Sequence, residues 1–434
     1  MTRRPAGSGT IQVLPALARA FSIPVPAFPV SSSVATPAAS PDAYAMTARE
    51  RRASASLAAI FALRMLGLFL VLPVFALEAA RYPGGDDPVL IGLAMGIYGL
   101  TQGLLQIPFG MASDRLGRKR VIIAGLLVFA LGSFVAALAG SLTWLIIGRA
   151  LQGAGAVSAA VTALLADQTR DEVRTKAMAL VGASIGLMFA LSLVLAPLLV
   201  TLIGLAGLFT LTGSLALGGV AVVVWWAPTE PQQHKNQPRG KLSEVLTHAA
   251  LLRLDVGVFI LHAVQLAMWV AIPALLVQAG LPPAQHWWVY LPAVLASFVV
   301  MGMTLFPLER RGYLRAVFLG SIALIALVQL GLLWAAQAPH IAWLAFMLFL
   351  FFCGFNVLEA SQPSLASRVA PPHARGAALG VYNTLQSLGF FAGGAAGGWL
   401  VKTQGVPALF IACAVGMGLW LLLAWPMAAP ARRG

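Results

Sequence analysis

The chain has 434 residues, of which 59% are hydrophobic and only 10% charged, with a formal net charge of +14 at pH 7. Soluble domains are about half apolar, so this composition and a mean hydropathy of +0.87 exclude an ordinary soluble fold and imply a bilayer protein. The basic residues sit in short connections between apolar runs, which excludes nucleic acid as the partner that such a charge would otherwise suggest, and Cys353 and Cys413 lie inside apolar runs, where a thiol is a small hydrophobe rather than a disulfide or metal ligand.

Residues 1–56 hold Pro, Ser and Ala without a run long enough to span, and their weakly apolar patch over 11–30 is broken by Pro15, Pro24, Pro26 and Pro29. They read as a disordered tail rather than a signal peptide or membrane helix. Met46, just ahead of Arg49, Arg51 and Arg52, is an alternative start. Apolar segments follow at about 57–80, 88–109, 120–140, 142–166, 177–201 and 205–227, then at 254–277, 285–306, 314–335, 340–361, 376–400 and 405–428. Each is near the roughly 20 residues that carry a helix across about 30 Å of hydrocarbon. The hydrophilic stretch 228–253, with His234, Lys235, Arg239, Lys241 and three prolines, separates them six and six as a linker, with a short surface helix over 242–252. The expected fold is all-α: twelve transmembrane helices in two pseudo-symmetric halves, 57–227 and 254–428, with a short tail at 429–434.

Basic residues gather in alternate connections: the leading tail, the 110–120 turn, the loop with Arg170, Arg174 and Lys176, the central linker, the turn with Arg310, Arg311 and Arg315, and the loop with Arg368 and Arg375. The other side carries essentially Arg81 and Lys402. The excess of positive charge on inward loops then puts the first group, and both chain ends, in the cytoplasm.

The run from Gly110 to Arg120 packs Asp114, Arg115, Arg118, Lys119 and Arg120 between two apolar segments. Such charges cannot lie in hydrocarbon, so the run is a short aqueous turn whose Gly110 and Gly117 let two helices approach. The halves echo each other in position: Asp114-Arg115-Leu116-Gly117 follows the second segment and Glu309-Arg310-Arg311-Gly312 the eighth, while Leu165-Ala166-Asp167 and Leu365-Ala366-Ser367 lead out of the fourth and tenth. Paired halves place a cavity at their interface, and rocking them exposes it to each side in turn.

The spacing Gly-x-x-x-Asp-Arg-x-Gly-Arg-Lys resembles the loop signature of the major facilitator superfamily of secondary transporters. Leu66 to Val74 and Gly148 to Gly155 resemble the first-helix and fourth-helix motifs of its drug–proton antiporter branch, and Arg64 to Gly67, Gly96 to Gln102 and Thr175 to Ala179 resemble YajR-type exporters. The resemblance covers about residues 57–428. It implies that Asp114 faces the start of the eleventh helix near Gly376 while Arg115 and Arg118 bridge to Asp167, a latch that forms only with the cytoplasmic side closed. The branch's fifth-helix signature, a Gly-Pro pair followed by paired glycines, is replaced here by Gly182, Gly186 and then Ala196-Pro197, so transport is better supported than antiport. The eleventh segment instead carries Gly389, Gly393, Gly394, Gly397 and Gly398, a spacing that suits close packing and sliding of helices.

An ionisable side chain inside a span costs roughly 2.5–3.5 kcal/mol and so faces a cavity or a partner. Arg149 is either a coupling residue or a structural arginine bound to a neighbour's carbonyls, with coupling favoured; Arg64 lines the cavity or snorkels to the surface. Candidate proton carriers are Glu359, His262 and Asp255. Their rivals are an ion pair of Glu359 with Arg368 or Arg375, a carbonyl-bonded His262, and an Asp255 that merely favours a helix start. Cavity walls are expected from Arg64, Tyr98, Gln102, Gln106, Met188, Gln265, Trp269, Tyr382, Asn383 and Gln386, because polar faces of spanning helices point inward. Aromatic, methionine and amide residues suit a lipophilic, weakly polar or cationic substrate.

These features describe a proton-coupled exporter of small lipophilic or amphipathic compounds working by alternating access in the bacterial inner membrane. It needs no cofactor, metal or nucleic acid, is read as a monomer, and is no enzyme. No Gly-x-x-x-x-Gly-Lys-Ser/Thr loop is present to bind ATP, and the six histidines are scattered rather than gathered at one depth. The alternatives are a nutrient or metabolite importer and, from another class, a non-transporting receptor or scaffold, which would leave the charges of the 110–120 turn without a task. For the topology, an impermeant thiol reagent added to intact cells is expected to modify a cysteine placed at Asp86 and to spare one at Gln237; the reverse pattern would overturn the orientation.

Overall fold

The computed structural model describes residues 45–230, 242–371 and 374–427. The expected tail as far as Tyr44, the linker positions His234, Lys235, Gln237, Arg239 and Lys241, and residues 428–434 lie outside the described residues.

Helix α1 (Ala48–Ala79) begins nine residues before its apolar run, inside what the composition assigns to the tail. The cause is a capping box: Thr47 accepts from the Glu50 amide, and the Glu50 carboxylate accepts from the Thr47 amide at 2.9 Å, so two orphan donors of the first turn are satisfied. Asp87 caps α2 (Pro88–Leu116) through the Val89 amide at 2.9 Å, with Pro88 at the first helical position. Gly117, at φ 100°, turns the chain directly into α3 (Arg118–Ala137), and Gly312, at φ 87°, makes the same turn after the eighth apolar segment in the second half. Both sit where L side chains are strained, so the positional echo in the sequence is an echo of backbone conformation.

The fourth segment is broken into α4 (Leu142–Ala154) and α5 (Ser158–Asp167). The fifth and sixth run together as α6 (Asp171–Ala221), which bends at Gly204 (φ 65°) and ends in a π-turn at Val222–Trp226. After a short α7 (Leu242–Leu246) come α8 (Ala249–Gln278), α9 (Trp287–Arg310), α10 (Leu314–Ala335), α11 (Ile341–Val369), α12 (Arg375–Gln404) and α13 (Val406–Ala424). Among the described residues, ten helices are long and apolar enough to cross a bilayer. The twelve segments are recovered because α6 carries two of them, and because α12, 30 residues long, is made less apolar by its glycines and polar side chains.

Helix α12 is wedged between the halves. On one side Gly389 and Gly393 lie against the α8 backbone at Phe259 and Ala263. On the other, a Cβ on Gly394 would stand 2.9 Å from Gly96 Cα, and one on Gly398 would stand 3.1 Å from Gly92 Cα in α2. Lys402 at the end of α12 then closes this contact with an ion pair to Asp87, 2.7 Å away. The Lys402 ammonium and the Val89 amide hold the Asp87 carboxyl below its ordinary value, so the pair stays charged at neutral pH and is lost only as pH falls through that lowered value. Gly182 and Gly186 behave differently: a Cβ would meet nothing at the first and only the tip of the Phe298 ring, at 3.8 Å, at the second. The close glycine packing thus belongs to the eleventh segment and not the fifth.

Replacing Gly398 by Val puts a branched side chain against backbone that cannot withdraw, an overpacking worth about 1–3 kcal/mol. The Gly398→Val protein is expected to melt at a lower temperature in detergent and to show a longer distance between spin labels at Asp86 and Thr403. An unchanged distance would mean that the α2–α12 contact does not depend on backbone approach.

Candidate functional site

The inner faces of the two halves each carry a buried polar cluster. In the second half, α8 presents His262, with its side chain 2% exposed, and α11 presents Glu359, whose side chain is 40% exposed while its Oε2, toward His262, is buried. His262 Nε2 lies 3.2 Å from Glu359 Oε2. Gln386 of α12 places its side-chain nitrogen 2.8 Å from the same His262 Nε2 and donates to Glu359 Oε1 at 3.2 Å. The other ring nitrogen, Nδ1, is 2.8 Å from the Val258 carbonyl. A carbonyl can only accept, so Nδ1 carries the hydrogen and a neutral His262 has a bare Nε2 that accepts from Gln386. Nε2 and Glu359 Oε2 are then two acceptors face to face, a gap that one added proton turns into a hydrogen bond. Phe390 and Phe355 meet the imidazole edge to face at 4.9 and 5.9 Å and fix its plane.

The ion-pair rival for Glu359 is not realised with Arg368, which donates to Glu309 at 2.7 Å. Asp255, two turns before His262 on α8, is 2% exposed, and its Oδ2 has no hydrogen-bond partner. Tyr382 lies within electrostatic reach of both Glu359 and Asp255 and donates to Gln362 at 3.3 Å. Asp255 is therefore within α8 (Ala249–Gln278) rather than at its start, which removes the helix-dipole explanation.

In the first half, Arg64 is 1% exposed and does not snorkel. It donates to Ser158 Oγ at 2.9 Å, the Tyr98 hydroxyl at 2.7 Å and Gln102 Oε1 at 3.3 Å, with its guanidinium over the Phe129 ring. Arg149 is bonded in the structural manner, to the Ala94 and Met95 carbonyls of α2 at 3.4 Å and to Gln152 at 2.8 Å, while stacking over Tyr98. Tyr98 thus stands between two buried guanidiniums. Gln102 also reaches across the interface, donating to Ser387 Oγ of α12 at 3.2 Å.

Of the other expected cavity residues, Gln265 and Trp269 line a small apolar hollow with Met268, Ile272, Phe351 and Phe352. Gln106 is 1% exposed with both amide atoms unpartnered, Asn383 supplies a carbonyl to Ser387, and Met188 is partly buried on α6.

The 110–120 turn forms a second centre. Arg118 pairs with Asp114, bonds Asp167 Oδ2 at 3.1 Å and donates to Ser113 Oγ at 2.8 Å, so the expected Arg118–Asp167 bridge is present. Arg115 is exposed, and no bridge from it to Asp167 is present among the described residues. Gly376, at the start of α12, is exposed, and a Cβ there would meet nothing within 4 Å. The corresponding place in the second half is the Glu309–Arg368 pair, with the signs of the charges exchanged.

One member of this centre was not anticipated. Glu230, at the head of the central linker, accepts from the Arg118 amide at 3.2 Å and from the Lys119 amide, capping α3 from a distant part of the chain. The preceding residues are fastened too: Lys119 Nζ bonds the Ala227 carbonyl at 2.7 Å, Arg52 the Trp226 carbonyl at 2.9 Å, and Gln168 the Pro228 carbonyl at 3.0 Å. A lone glutamate in a hydrophilic stretch carries no sequence signal for this; the clue is the missing cap residue where Gly117 precedes α3.

A family model described as Major Facilitator Superfamily matches residues 57–394 and 310–434. The chain is 43% identical over 392 residues to the inner membrane transport protein YajR of Escherichia coli (strain K12), covering 89% of this chain and 86% of that protein. It is 27% identical over 374 residues to the multidrug resistance protein MdtH of Aeromonas salmonicida (strain A449), covering 83% and 91%. Among solved structures, the human organic anion transporter MFSD10 (TETRAN) superposes with a TM-score of 0.66 at 18% identity, over 87% of this chain and all of that one, a likeness of fold.

Removing the carboxylate charge that caps α3 is expected to cost about 1 kcal/mol, the usual worth of a helix cap. Glu230→Gln should lower the melting temperature of the detergent-solubilised protein, whereas Arg115→Ala, at an exposed side chain, should leave it in place. Equal effects of the two would remove Glu230 from the centre.

Proposed function

Because the chain belongs to the Major Facilitator Superfamily of transporters, we propose that it drives the export of small lipophilic or amphipathic compounds with protons, alternating access between the two sides of the membrane. The observation that carries this reading is the His262–Glu359–Gln386 cluster: two titratable groups 3.2 Å apart whose facing atoms, both acceptors when His262 is neutral, are bridged by one added proton. Asp255 and Tyr382 extend the ionisable surface along α8 and α12. In the opposing half, Arg64 and Arg149 keep a fixed positive charge near the interface; a guanidinium holds its proton, so their part is to bias the nearby acids and the substrate. The hollow around Gln265, Trp269, Phe351 and Phe352 is too small as it stands for a drug-sized molecule; widened by movement of the halves, its aromatic faces and one amide would suit apolar bodies with a weakly polar handle. The name of MdtH, a multidrug resistance protein, is in keeping with this substrate class.

The Asp114–Arg118–Asp167 centre, with Gly110, Gly117 and Lys119, is proposed as the gating element of the first half, placed in the cytoplasm with both chain ends by the distribution of basic residues. The membrane is proposed to be the inner membrane, as the name of YajR states for that protein.

The test is transport in proteoliposomes against a panel of lipophilic cations, organic anions and sugars, with and without a pH gradient. Glu359→Gln is expected to abolish gradient-driven accumulation while sparing substrate exchange, which needs no net proton movement. Undiminished accumulation in that variant would remove Glu359 from the coupling, and accumulation only of sugars would replace export of lipophiles by the importer reading.

A further inference from the structure

We infer that Gln386 and Ser387, adjacent on α12, form the link by which the proton state of the His262–Glu359 pair reaches the opposite half, and that Gln102 receives it; this rests on the proposed reading of that pair as the proton site. Gln386 touches both members of the pair, and Ser387 accepts from Gln102, whose own oxygen accepts from Arg64. Side-chain hydrogen bonds run from the titratable pair to Gln386 and from Ser387 to the fixed charge of Arg64, and the α12 backbone between residues 386 and 387 joins the two runs. The series crosses the interface at a helix packed backbone to backbone against both α8 and α2.

The chemistry of Gln386 makes it sensitive to the proton. With His262 Nε2 bare, the Gln386 amide presents its N–H groups to Nε2 and to Glu359 Oε1, and both are satisfied. When water on the open side supplies one proton to Nε2, that nitrogen becomes a donor and no longer accepts from Gln386. The amide must then turn or move away, and on release of the proton to water it returns. When the proton instead rests on Glu359, the carboxyl donates to Nε2 in place of Gln386, with the same consequence. No other bond is made or broken. Because Gln386 and Ser387 are neighbours on one helix, a displacement of the first shifts the second against Gln102.

The charged and titratable groups facing this series are Asp255 and His262 from α8, Glu359 from α11, Tyr382 from α12, Tyr98 from α2, Arg64 from α1 and Arg149 from α4. Arg64 is held by three acceptors, of which Ser158 and Tyr98 belong to the first half alone. Loss of the Gln102 bond therefore leaves it anchored, and Gln102 can move without unseating the buried charge. Gln102 and Ser387 are positioning residues: they hold no proton themselves.

The experiment uses the full-length protein in nanodiscs, with spin labels at Asp86 and Thr403 and infrared detection of the Glu359 carboxyl band, identified by its absence in Glu359→Gln. In the otherwise native chain, the label distance distribution is expected to shift with pH around the midpoint at which the carboxyl band titrates. In Gln102→Met, Ser387→Ala and the double variant, the band is expected to titrate at the same midpoint while the pH-driven change in the closed-to-open ratio falls by about tenfold, the double variant losing no more than either single one. Gln386→Met should also lose the pH-driven shift, but with the carboxyl band displaced, because the amide that bonds Glu359 is gone, and Ser387→Thr, which keeps the hydroxyl, should retain the shift. A full pH-driven shift in Gln102→Met, or additive losses in the double variant, would overturn the link. A native protein whose carboxyl band does not titrate would instead overturn the proton site itself, and the link with it.

Discussion

Inside hydrocarbon a polar side chain has only the protein to bond with, and the inner surfaces of this chain are organised by that demand. Arg64 finds three acceptors and an aromatic face; Arg149 finds two carbonyls and an amide; His262 finds a carbonyl, an amide and a carboxylate. Each solution draws helices together, so the polar groups that a membrane penalises become the ties that fix how α1, α2 and α4 meet in one half and α8, α11 and α12 in the other. The two clusters remain different in kind. The first is permanently charged and satisfied largely by neutral groups, and the second contains groups whose charge can change. In the proposed proton-coupled cycle the first is the fixed reference and the second the variable partner, and the Gln102–Ser387 bond joins the two sides.

The architecture was legible because its signal is long and repeated. Twelve apolar runs, an interrupting hydrophilic stretch and a charged turn after the second run suffice for the layout, since no other arrangement satisfies backbone groups in lipid. Individual inward-facing residues were legible for the same reason: Tyr98, Gln102, His262, Glu359 and Gln386 are polar in runs that are otherwise apolar. What the sequence withheld was pairing. Glu359 had Arg368 and Arg375 as formal partners and took His262, because Arg368 is claimed by Glu309 across the α9 turn. The depth of Arg149 suggested a coupling residue but gave no sign of the Ala94 and Met95 carbonyls that its guanidinium bonds. Glu230 was invisible because its partners are backbone amides more than one hundred positions away, and a backbone amide has no letter in a sequence.

The charged turns of the two halves illustrate how symmetry survives divergence. Gly117 and Gly312 share a left-handed conformation, and each is followed by a helix and flanked by an ion pair to the end of the second helix onward. In the first half the arginine sits on the turn and the acid on α5; in the second the acid sits on α9 and the arginine on α11. An ion pair is indifferent to which partner carries which sign, so the two halves hold corresponding places with opposite arrangements of charge.

The fastening of residues 226–230 to α1, α3 and α5 has a mechanical meaning. The chain that joins the two halves leaves the first half at Glu230, whose carboxylate is clamped on the opening turn of α3, beside Arg118. In the proposed alternating access, a pull along that connection would be delivered as tension to the first turn of α3. The covalent tether and the charged turn are in series, so the strain of opening would be borne where the charges are.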